Sequence, residues 1–260
     1  MRPYWERDGI TLWLGDARDV LPTLERVDHC ITDPPYSEYV HSKSRAGARV
    51  LDATGFPSDF SRAVDFGFEP LDSCLRAFIA TEVARLAARW VLVFSDELSA
   101  ADWRDDCLVA GFDYVRTGAW IKLNGSPQFT GDRPGVGFET ISIFHAKGRK
   151  RWNGGGLPAV WSHAVVKNRG GDDPRLHTTQ KPLPLMRELV ELFTDPGDLI
   201  LDPFCGSGAT LVAAYGLGRR AIGVEIDEKY AEVAAKRLEG CTPPLPLVVA
   251  PPAEQGAMPL

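Results

Sequence analysis

Apolar positions along the chain follow two spacings, one typical of helices and one of buried strands. Across residues 71–88 they recur at the helical period, whereas residues 90–94 (WVLVF) form the continuous apolar run of a strand buried on both faces. Further strands are predicted over 10–14, 28–32, 112–123, 138–146, 198–202 and 220–225, and further helices over 17–25, 98–110, 182–193, 209–217 and 227–238. This succession predicts one α/β domain, built on a mostly parallel sheet with helices on both faces.

Other segments show no firm period. Residues 37–70 are long and mixed in composition, and a connection of that length inside a domain is usually functional or mobile. Residues 148–174 are rich in glycine and basic side chains. The tail, 242–260, contains six prolines and is predicted to be extended or disordered, which leaves residues 1–241 as the folded domain.

Charge is distributed unevenly along an acidic chain. The 260 residues carry 29 basic and 35 acidic side chains, a net charge of −6. Between residues 147 and 181, however, eight basic residues stand against Asp172 and Asp173. Such a stretch can bind phosphates, and it can equally be a solvated loop.

Cysteine and histidine spacing excludes several classes of protein. The five cysteines lie far apart without a C-x-x-C pair, so neither a disulfide framework nor a zinc ribbon is expected, and a cytoplasmic location fits best. The five histidines have no metal-ligand spacing, so no metal is predicted. No run of eighteen apolar residues and no apolar leader occurs, so no membrane partner is expected.

The first chemical motif is LILDPFCGSG at 199–208. Here a predicted strand enters a glycine-rich turn and then a helix, the geometry in which backbone N–H groups face a ligand. Gly206 and Gly208 lack a Cβ atom, so a ligand can approach the backbone closely. Glu225 ends the next strand, where its carboxylate could accept hydrogen bonds from both hydroxyls of a ribose.

The second motif is DPPY at 33–36, directly after a predicted parallel strand. Its chemistry suits methylation of an exocyclic amino group, whose lone pair is delocalised into the base. The carboxylate of Asp33 and the carbonyl of Pro34 would accept from both N–H bonds, and the two prolines would hold that carbonyl rigidly. The ring of Tyr36 would stack on a base flipped out of a helix.

Together with HTTQKP at 177–182, VEIDEKYAEVAAKRL at 224–238 and the strand GFETISIFHAKG, these motifs resemble the S-adenosylmethionine-dependent amino-methyltransferases of DNA. The catalytic tetrapeptide precedes the glycine loop, as in their β group. The resemblance therefore implies a circularly permuted Rossmann-like methyltransferase fold. It also implies target-recognition elements at about 37–70 and 122–175, a duplex DNA substrate and, since β-group enzymes are often dimers, a homodimer.

The resemblance also implies roles for individual residues. Asp33, Pro34, Pro35 and Tyr36 would be catalytic. Contacts with S-adenosylmethionine would come from Asp16 (adenine ring), Glu225 (ribose), Asp33, Thr178, Thr179, Lys181, Asp202, Phe204, Cys205, Gly206 and Gly208. Candidates for DNA phosphate contact are Lys122, Arg149, Lys150, Arg151, Lys167 and Arg169.

Aspartate at the first position of DPPY favours adenine N6 as the methyl acceptor, because cytosine-N4 enzymes more often have serine there. Cytosine N4 is the nearest alternative, and an amino group of RNA or of a protein is a more distant one. The alternative from another class is a non-catalytic DNA-binding protein that retains the fold. A scaffold would not need Asp33, Tyr36, Gly206, Gly208 and Glu225 together.

Overall fold

A computed structural model describes residues 2–35, 71–125, 132–166 and 180–242. Nine strands in these ranges form one sheet: β1 (Trp5–Arg7), β2 (Ile10–Leu14), β3 (His29–Thr32), β4 (Trp90–Ser95), β5 (Asp113–Lys122), β6 (Phe138–His145), β7 (Val160–His163), β8 (Leu199–Asp202) and β9 (Arg220–Glu225). The helices are α1 (Ala17–Val20), α2 (Ser73–Leu86), α3 (Ser99–Val109), α4 (Leu183–Phe193), α5 (Ala209–Gly216) and α6 (Glu228–Glu239).

The strand order across the sheet is β1-β2-β9-β8-β3-β4-β6-β5-β7. The central strands β2, β9, β8, β3 and β4 pair in parallel, and β7 pairs in parallel with β5. Strands β1 and β6 run antiparallel to their neighbours. The sheet is therefore mixed but mostly parallel, as the sequence predicts.

Side chains of the sheet divide between two apolar cores, one on each face. In β4, Leu92 and Phe94 face the core formed with α4, α5 and α6, whereas Val91 and Val93 face the core formed with α2 and α3. This alternation is the period-2 geometry of a strand covered on both faces. It explains why the sequence of β4 is apolar throughout, and it confirms the prediction of helices on both faces.

Most predicted elements agree with the structure to within two residues at each end. The helix predicted over 17–25 is shorter, because α1 ends at Val20 and continues as a 3₁₀ turn over Leu21–Thr23, where Pro22 lies. The edge strands β1 and β7 were not predicted. Residues 37–70 and 243–260 lie outside the described residues. None of the described helices is long and apolar enough to cross a membrane.

The sheet reverses its direction of winding between β8 and β3. From β8 the chain crosses through α5 to β9 on one side, and from β3 it crosses through α2 to β4 on the other side. The loops that follow β8 and β3 therefore diverge onto opposite faces and leave a gap at the carboxyl ends of these two strands. Such a switch point is where open α/β sheets bind ligands.

Candidate active site

A crevice of about 910 Å³ opens at this switch point. It lies at the carboxyl edge of the central strands, and most of the segments that line it follow one of these strands or precede α4. The lining includes residues 15–18, 33–35, 180–181, 202–207 and 224–228. The two motifs that are far apart in the sequence, DPPY and DPFCGSG, thus contribute neighbouring walls.

The glycine loop after β8 is fixed by the carboxylate that ends β9. Oε2 of Glu225 accepts a hydrogen bond from the Gly206 N–H at 2.9 Å, and Oε1 accepts from the Asp227 N–H at 2.8 Å. Burial raises the pKa of Glu225, although these N–H donors oppose that rise. Each carboxylate oxygen keeps a second lone pair for a ligand hydroxyl.

The two glycines of the loop differ in their surroundings. A Cβ atom added at Gly206 would meet nothing within 4 Å, and the residue lines the crevice. A Cβ atom at Gly208 would instead lie 2.9 Å from the Cβ of Ala234 in α6. Close helix packing therefore accounts for the glycine at 208, where the sequence had suggested ligand approach, and both residues have positive φ.

Asp202, at the end of β8, is 2 % exposed and already has several donors. Oδ1 accepts from the Thr32 hydroxyl at 2.8 Å and from the Phe204 N–H, and Oδ2 accepts from the Thr210 hydroxyl at 2.6 Å. Burial nevertheless raises the pKa of Asp202 to about 6. This carboxylate joins β3, β8 and α5 at the base of the crevice.

Asp33 follows β3 and has two carboxylate oxygens in different surroundings. Oδ2 accepts from Nζ of Lys181 at 2.5 Å. Oδ1 is buried and has no hydrogen-bond partner among the described residues. Since a buried acceptor without a donor is costly, Oδ1 is the group at this site that calls for a ligand donor.

Lys181 was expected beside the cofactor, and its ammonium group lies between two carboxylates. It is 4 % exposed and also forms an ion pair with Oε2 of Glu139 at 3.1 Å. Oε1 of Glu139 pairs in turn with Nζ of Lys122 at 2.7 Å. Sequence reasoning did not single out Glu139; the available indication was one acidic residue near the start of the strand FETISIFH, which contains no other acid.

The pKa values of the two acids move in opposite directions. Desolvation raises the pKa of Asp33 to about 6, outweighing the attraction of Lys181, and the charge of Glu139 adds to the rise. Glu139 is also desolvated, but Lys181 and Lys122 together lower its pKa to about 2. Both carboxylates are therefore ionised at neutral pH.

Other predicted cofactor residues lie at the rim and floor of the crevice. Asp16 caps α1, and its carboxylate accepts from the backbone and the guanidinium group of Arg18. The side-chain hydrogen bond from Arg18 is the main reason that the pKa of Asp16 is lowered. Cys205 is buried, which raises the pKa of its thiol well above the usual range, and Phe204 lines the crevice beside it.

The structure separates the predicted phosphate-contact residues. Arg149, Lys150 and Arg151 follow β6, which runs antiparallel and ends at the amino edge of the sheet, opposite the crevice. There Lys150 pairs with Asp113 and Arg151 with Asp195. Lys122 lies at the carboxyl edge, but its side chain is mostly buried against Glu139. The sequence predicts that these residues contact DNA phosphates, whereas neither position favours contact with DNA at the crevice; DNA binding by variants tests which of the two holds.

Five predicted site residues lie outside the described residues: Tyr36, Thr178, Thr179, Lys167 and Arg169. Their roles remain predictions. Gln180, the neighbour of Thr179, is buried at the crevice wall.

The fold and the crevice define the class of protein: a Rossmann-like methyltransferase fold in which the DPPY segment precedes the glycine loop. Comparison with known proteins agrees. A model of the N6/N4 methyltransferase family, described as DNA methylase, matches residues 27–236. The chain therefore belongs to this family of DNA methylases, which act on amino groups at adenine N6 or cytosine N4.

Two type II methyltransferases and one crystal structure are similar to this chain over most of their length. The type II methyltransferase M.HinfI of Haemophilus influenzae is 28 % identical over 90 % of this chain and 69 % of its own. The type II methyltransferase M2.DpnII of Streptococcus pneumoniae is 28 % identical over 92 % of both chains. The crystal structure of the M1.HpyAVI–SAM complex is 25 % identical, with a TM-score of 0.66 over 88 % of this chain and 98 % of that one.

Proposed function

We propose that this methylase transfers a methyl group from S-adenosylmethionine to the N6 amino group of an adenine flipped out of duplex DNA. The observation that carries the proposal is the carboxylate of Asp33. One of its oxygens is held by Lys181, and the other is a buried acceptor without a donor among the described residues. It lies in the same crevice as the glycine loop.

The residues of the crevice fit the cofactor. Glu225 would accept from the ribose hydroxyls, and Gly206 leaves open space against the loop backbone. The aromatic ring of Phe204 and the sulfur of Cys205 would line its methionine part. S-adenosylmethionine, when bound, supplies an electrophilic methyl group on a sulfonium. A relative in the same family, M1.HpyAVI, has been crystallised as a complex with SAM.

Asp33 and Pro34 would act on the acceptor amino group. An exocyclic nitrogen is a poor nucleophile because its lone pair is delocalised into the base. Oδ1 of Asp33 would accept one N–H and the carbonyl of Pro34 the other, which favours a nitrogen whose lone pair points at the methyl group. As the N–C bond forms and the S–C bond breaks, the sulfur keeps the bonding electron pair, and the surplus proton leaves the nitrogen towards Asp33.

Adenine is proposed over cytosine because of the residue at the first position of the tetrapeptide. Aspartate at this position is more typical of adenine-N6 enzymes, and serine of cytosine-N4 enzymes. The family contains both, and the same geometry of acceptors serves either amino group.

The test is a transfer assay with a labelled methyl group. Unmethylated genomic DNA is incubated with the protein and S-adenosylmethionine carrying a deuterated methyl, digested to nucleosides, and analysed by mass spectrometry. Labelled N6-methyldeoxyadenosine is expected. Labelled N4-methyldeoxycytidine instead would retain the chemistry and reassign the base.

Two variants tie the result to the crevice. Asp33→Ala, which removes both acceptor oxygens, should nearly abolish transfer while retaining cofactor binding by calorimetry, whereas Asp19→Ala, on the exposed side of α1, should behave as the wild type. Cofactor binding without any labelled nucleoside would contradict the proposal and favour a non-catalytic DNA-binding protein. Near-normal turnover by Asp33→Ala would contradict the role of Asp33.

A further inference from the structure

Four charged side chains alternate in sign along the carboxyl edge of the sheet. From the crevice outwards they are Asp33, Lys181, Glu139 and Lys122, joined by contacts of 2.5, 3.1 and 2.7 Å. They come from the loop after β3, the segment before α4, the start of β6 and the end of β5. The exposed fractions of these side chains are 21, 4, 12 and 17 %.

We propose that Glu139 is a positioning residue for methyl transfer: it fixes the ammonium group of Lys181 against Oδ2 of Asp33, so that Oδ1 is left to accept from the amino group. This inference rests on the proposed function and extends it to a residue that need not touch DNA or cofactor.

The geometry makes Lys181 depend on Glu139. A lysine side chain has several rotatable bonds and its ammonium group has three donors, so a single carboxylate does not fix its position. Lys181 bridges Asp33 and Glu139 and lies 5.1 Å from the centre of the Phe94 ring. Lys122, held over the ring of Trp120, occupies the second oxygen of Glu139 and limits its rotation.

The same row of charged side chains determines the electrostatic environment of Asp33. The groups that face it are Lys181, Glu139 and Lys122, with Asp202 at the end of the neighbouring strand. The negative charge of Glu139 repels the ionised form of Asp33. It also partly neutralises the positive charge of Lys181, which pairs with both carboxylates. Removing the charge of Glu139 should therefore lower the pKa of Asp33 and weaken it as a hydrogen-bond and proton acceptor.

The experiment compares the wild type with Glu139→Gln, which keeps the shape of the side chain and removes its charge. The matched control is Glu82→Gln in α2, whose carboxylate pairs with Arg85 and is similarly shielded, with 16 % exposure. For each protein, kcat and KM are measured for transfer to the nucleoside that the wild type modifies, across a pH range. We expect kcat of Glu139→Gln to fall about 10- to 100-fold.

Two further readouts separate positioning from a general structural role. KM for S-adenosylmethionine should stay unchanged, and the acid limb of the pH–kcat profile should move to lower pH. Independently of turnover, the Asp33 carboxyl, followed by carbon-13 NMR, should titrate at lower pH in Glu139→Gln. If the glutamine variant unfolds, Lys122→Met removes only the outer partner. Because Lys122 lowers the pKa of Asp33, the Asp33 titration and the acid limb should then move to higher pH, and kcat should still fall because Glu139 is less firmly held.

The possible failures are distinguishable. A wild type that transfers no methyl group contradicts the proposed function, and the NMR titration still decides whether Glu139 controls Asp33. A Glu139→Gln variant that matches Glu82→Gln in kcat and in acid limb overturns the inference, while leaving the proposed function intact. So does a variant whose only defect is a raised KM for the cofactor.

Discussion

The hydroxyl of Thr32 donates a 2.8 Å hydrogen bond to Oδ1 of Asp202 and joins the ends of two adjacent strands that lie 170 residues apart in the sequence. Both groups are buried, so the pair fixes the walls that carry the two motifs at their common base. Thr32→Val should lower the free energy of unfolding by about 1–3 kcal/mol, because a buried carboxylate loses a donor.

Urea unfolding of Thr32→Val measures this loss. The control is Thr81→Val on the exposed side of α2. The Thr81 hydroxyl donates to the carbonyl of Ala77 within the same helix, and its loss should change stability by less than about 0.5 kcal/mol. Equal effects of the two substitutions would mean that the Thr32 hydroxyl does not stabilise the strand ends.

The raised pKa of Asp202 predicts a pH dependence of stability. The pKa of Asp202 is about 6 in the folded protein, compared with an ordinary value of 3.8 that applies to the unfolded chain. The folded state therefore binds the proton of this carboxyl more tightly. The contribution of Asp202 to the free energy of unfolding is therefore fully present below about pH 4 and is lost as the pH rises to about 6. In Asp202→Asn the loss, on the order of 1–3 kcal/mol, should be missing.

The measurement is the free energy of unfolding of wild type and Asp202→Asn at several pH values across this window. Only the difference between the two curves counts, since Asp33 titrates in the same window and affects both. A constant difference would show that Asp202 has an ordinary pKa.

Alanine substitutions at the two glycines should have different effects. Gly208→Ala brings a Cβ atom to 2.9 Å from that of Ala234 at a φ of +79°, so stability should fall by about 1–3 kcal/mol. Gly206→Ala, at a φ of +52° in open space, should lose about 1 kcal/mol, and its methyl group should obstruct the cofactor. Thermal unfolding and calorimetry with S-adenosylmethionine test the pair; a greater loss of stability at 206 would contradict it.

Cofactor affinity should depend on Glu225. Glu225→Gln keeps one acceptor oxygen but removes the charge and the second acceptor, so the Kd for S-adenosylmethionine should rise about 10- to 100-fold by calorimetry. Glu232→Gln on the exposed face of α6, where the carboxylate pairs with Lys236, should bind as the wild type does. An unchanged Kd for Glu225→Gln would exclude the proposed ribose contact.

DNA binding should separate the basic residues into two groups. Arg149, Lys150 and Arg151 are at the amino edge of the sheet; β4 alone separates the edges by five steps of about 3.3 Å, roughly 17 Å. Their triple alanine variant should therefore keep the slope of log K against log salt. Lys167 and Arg169 follow His163 of β7, which ends at the crevice edge, and their double alanine variant should flatten that slope.

The reverse result, a flattened slope for the triple variant alone, would place DNA on the amino edge. Both variants are measured on the same duplex with cofactor present, so that differences in salt dependence reflect phosphate contacts and not occupancy of the crevice.

Local patterns were sufficient to predict the central elements and the two motifs. The apolar run of β4 and the strand–turn–helix around Gly206 each carry their information within a few residues. The short edge strand β7 does not: its four residues lie in a glycine-rich segment, and it forms because β5 offers an open edge. The formation of β7 depends on pairing with a distant strand, and the local pattern of apolar residues gives no information about that pairing.

The row of four charged side chains at the crevice could not be predicted from the sequence for the same reason. Glu139 meets Lys122 only through the antiparallel register of β5 and β6, and Glu139 reaches Lys181 only once the segment before α4 packs on the sheet. For the basic residues 149–151 the sequence gives the charge but not the position, because charge along the sequence does not reveal on which edge of a sheet a segment ends.

The strand order has a consequence for how the chain is made. Among the strands that the structure describes, β8 and β9 come last in the sequence, yet they fill the gap between β2 and β3, which are among the first. During synthesis from the N-terminus, the edges of β2 and β3 that later pair with β9 and β8 therefore stay unpaired until residue 225 has left the ribosome. Folding of the sheet is completed late and by long-range pairing, which is intrinsically slow. Nascent chains of this protein thus expose two open strand edges to neighbouring polypeptides until β8 and β9 have been made.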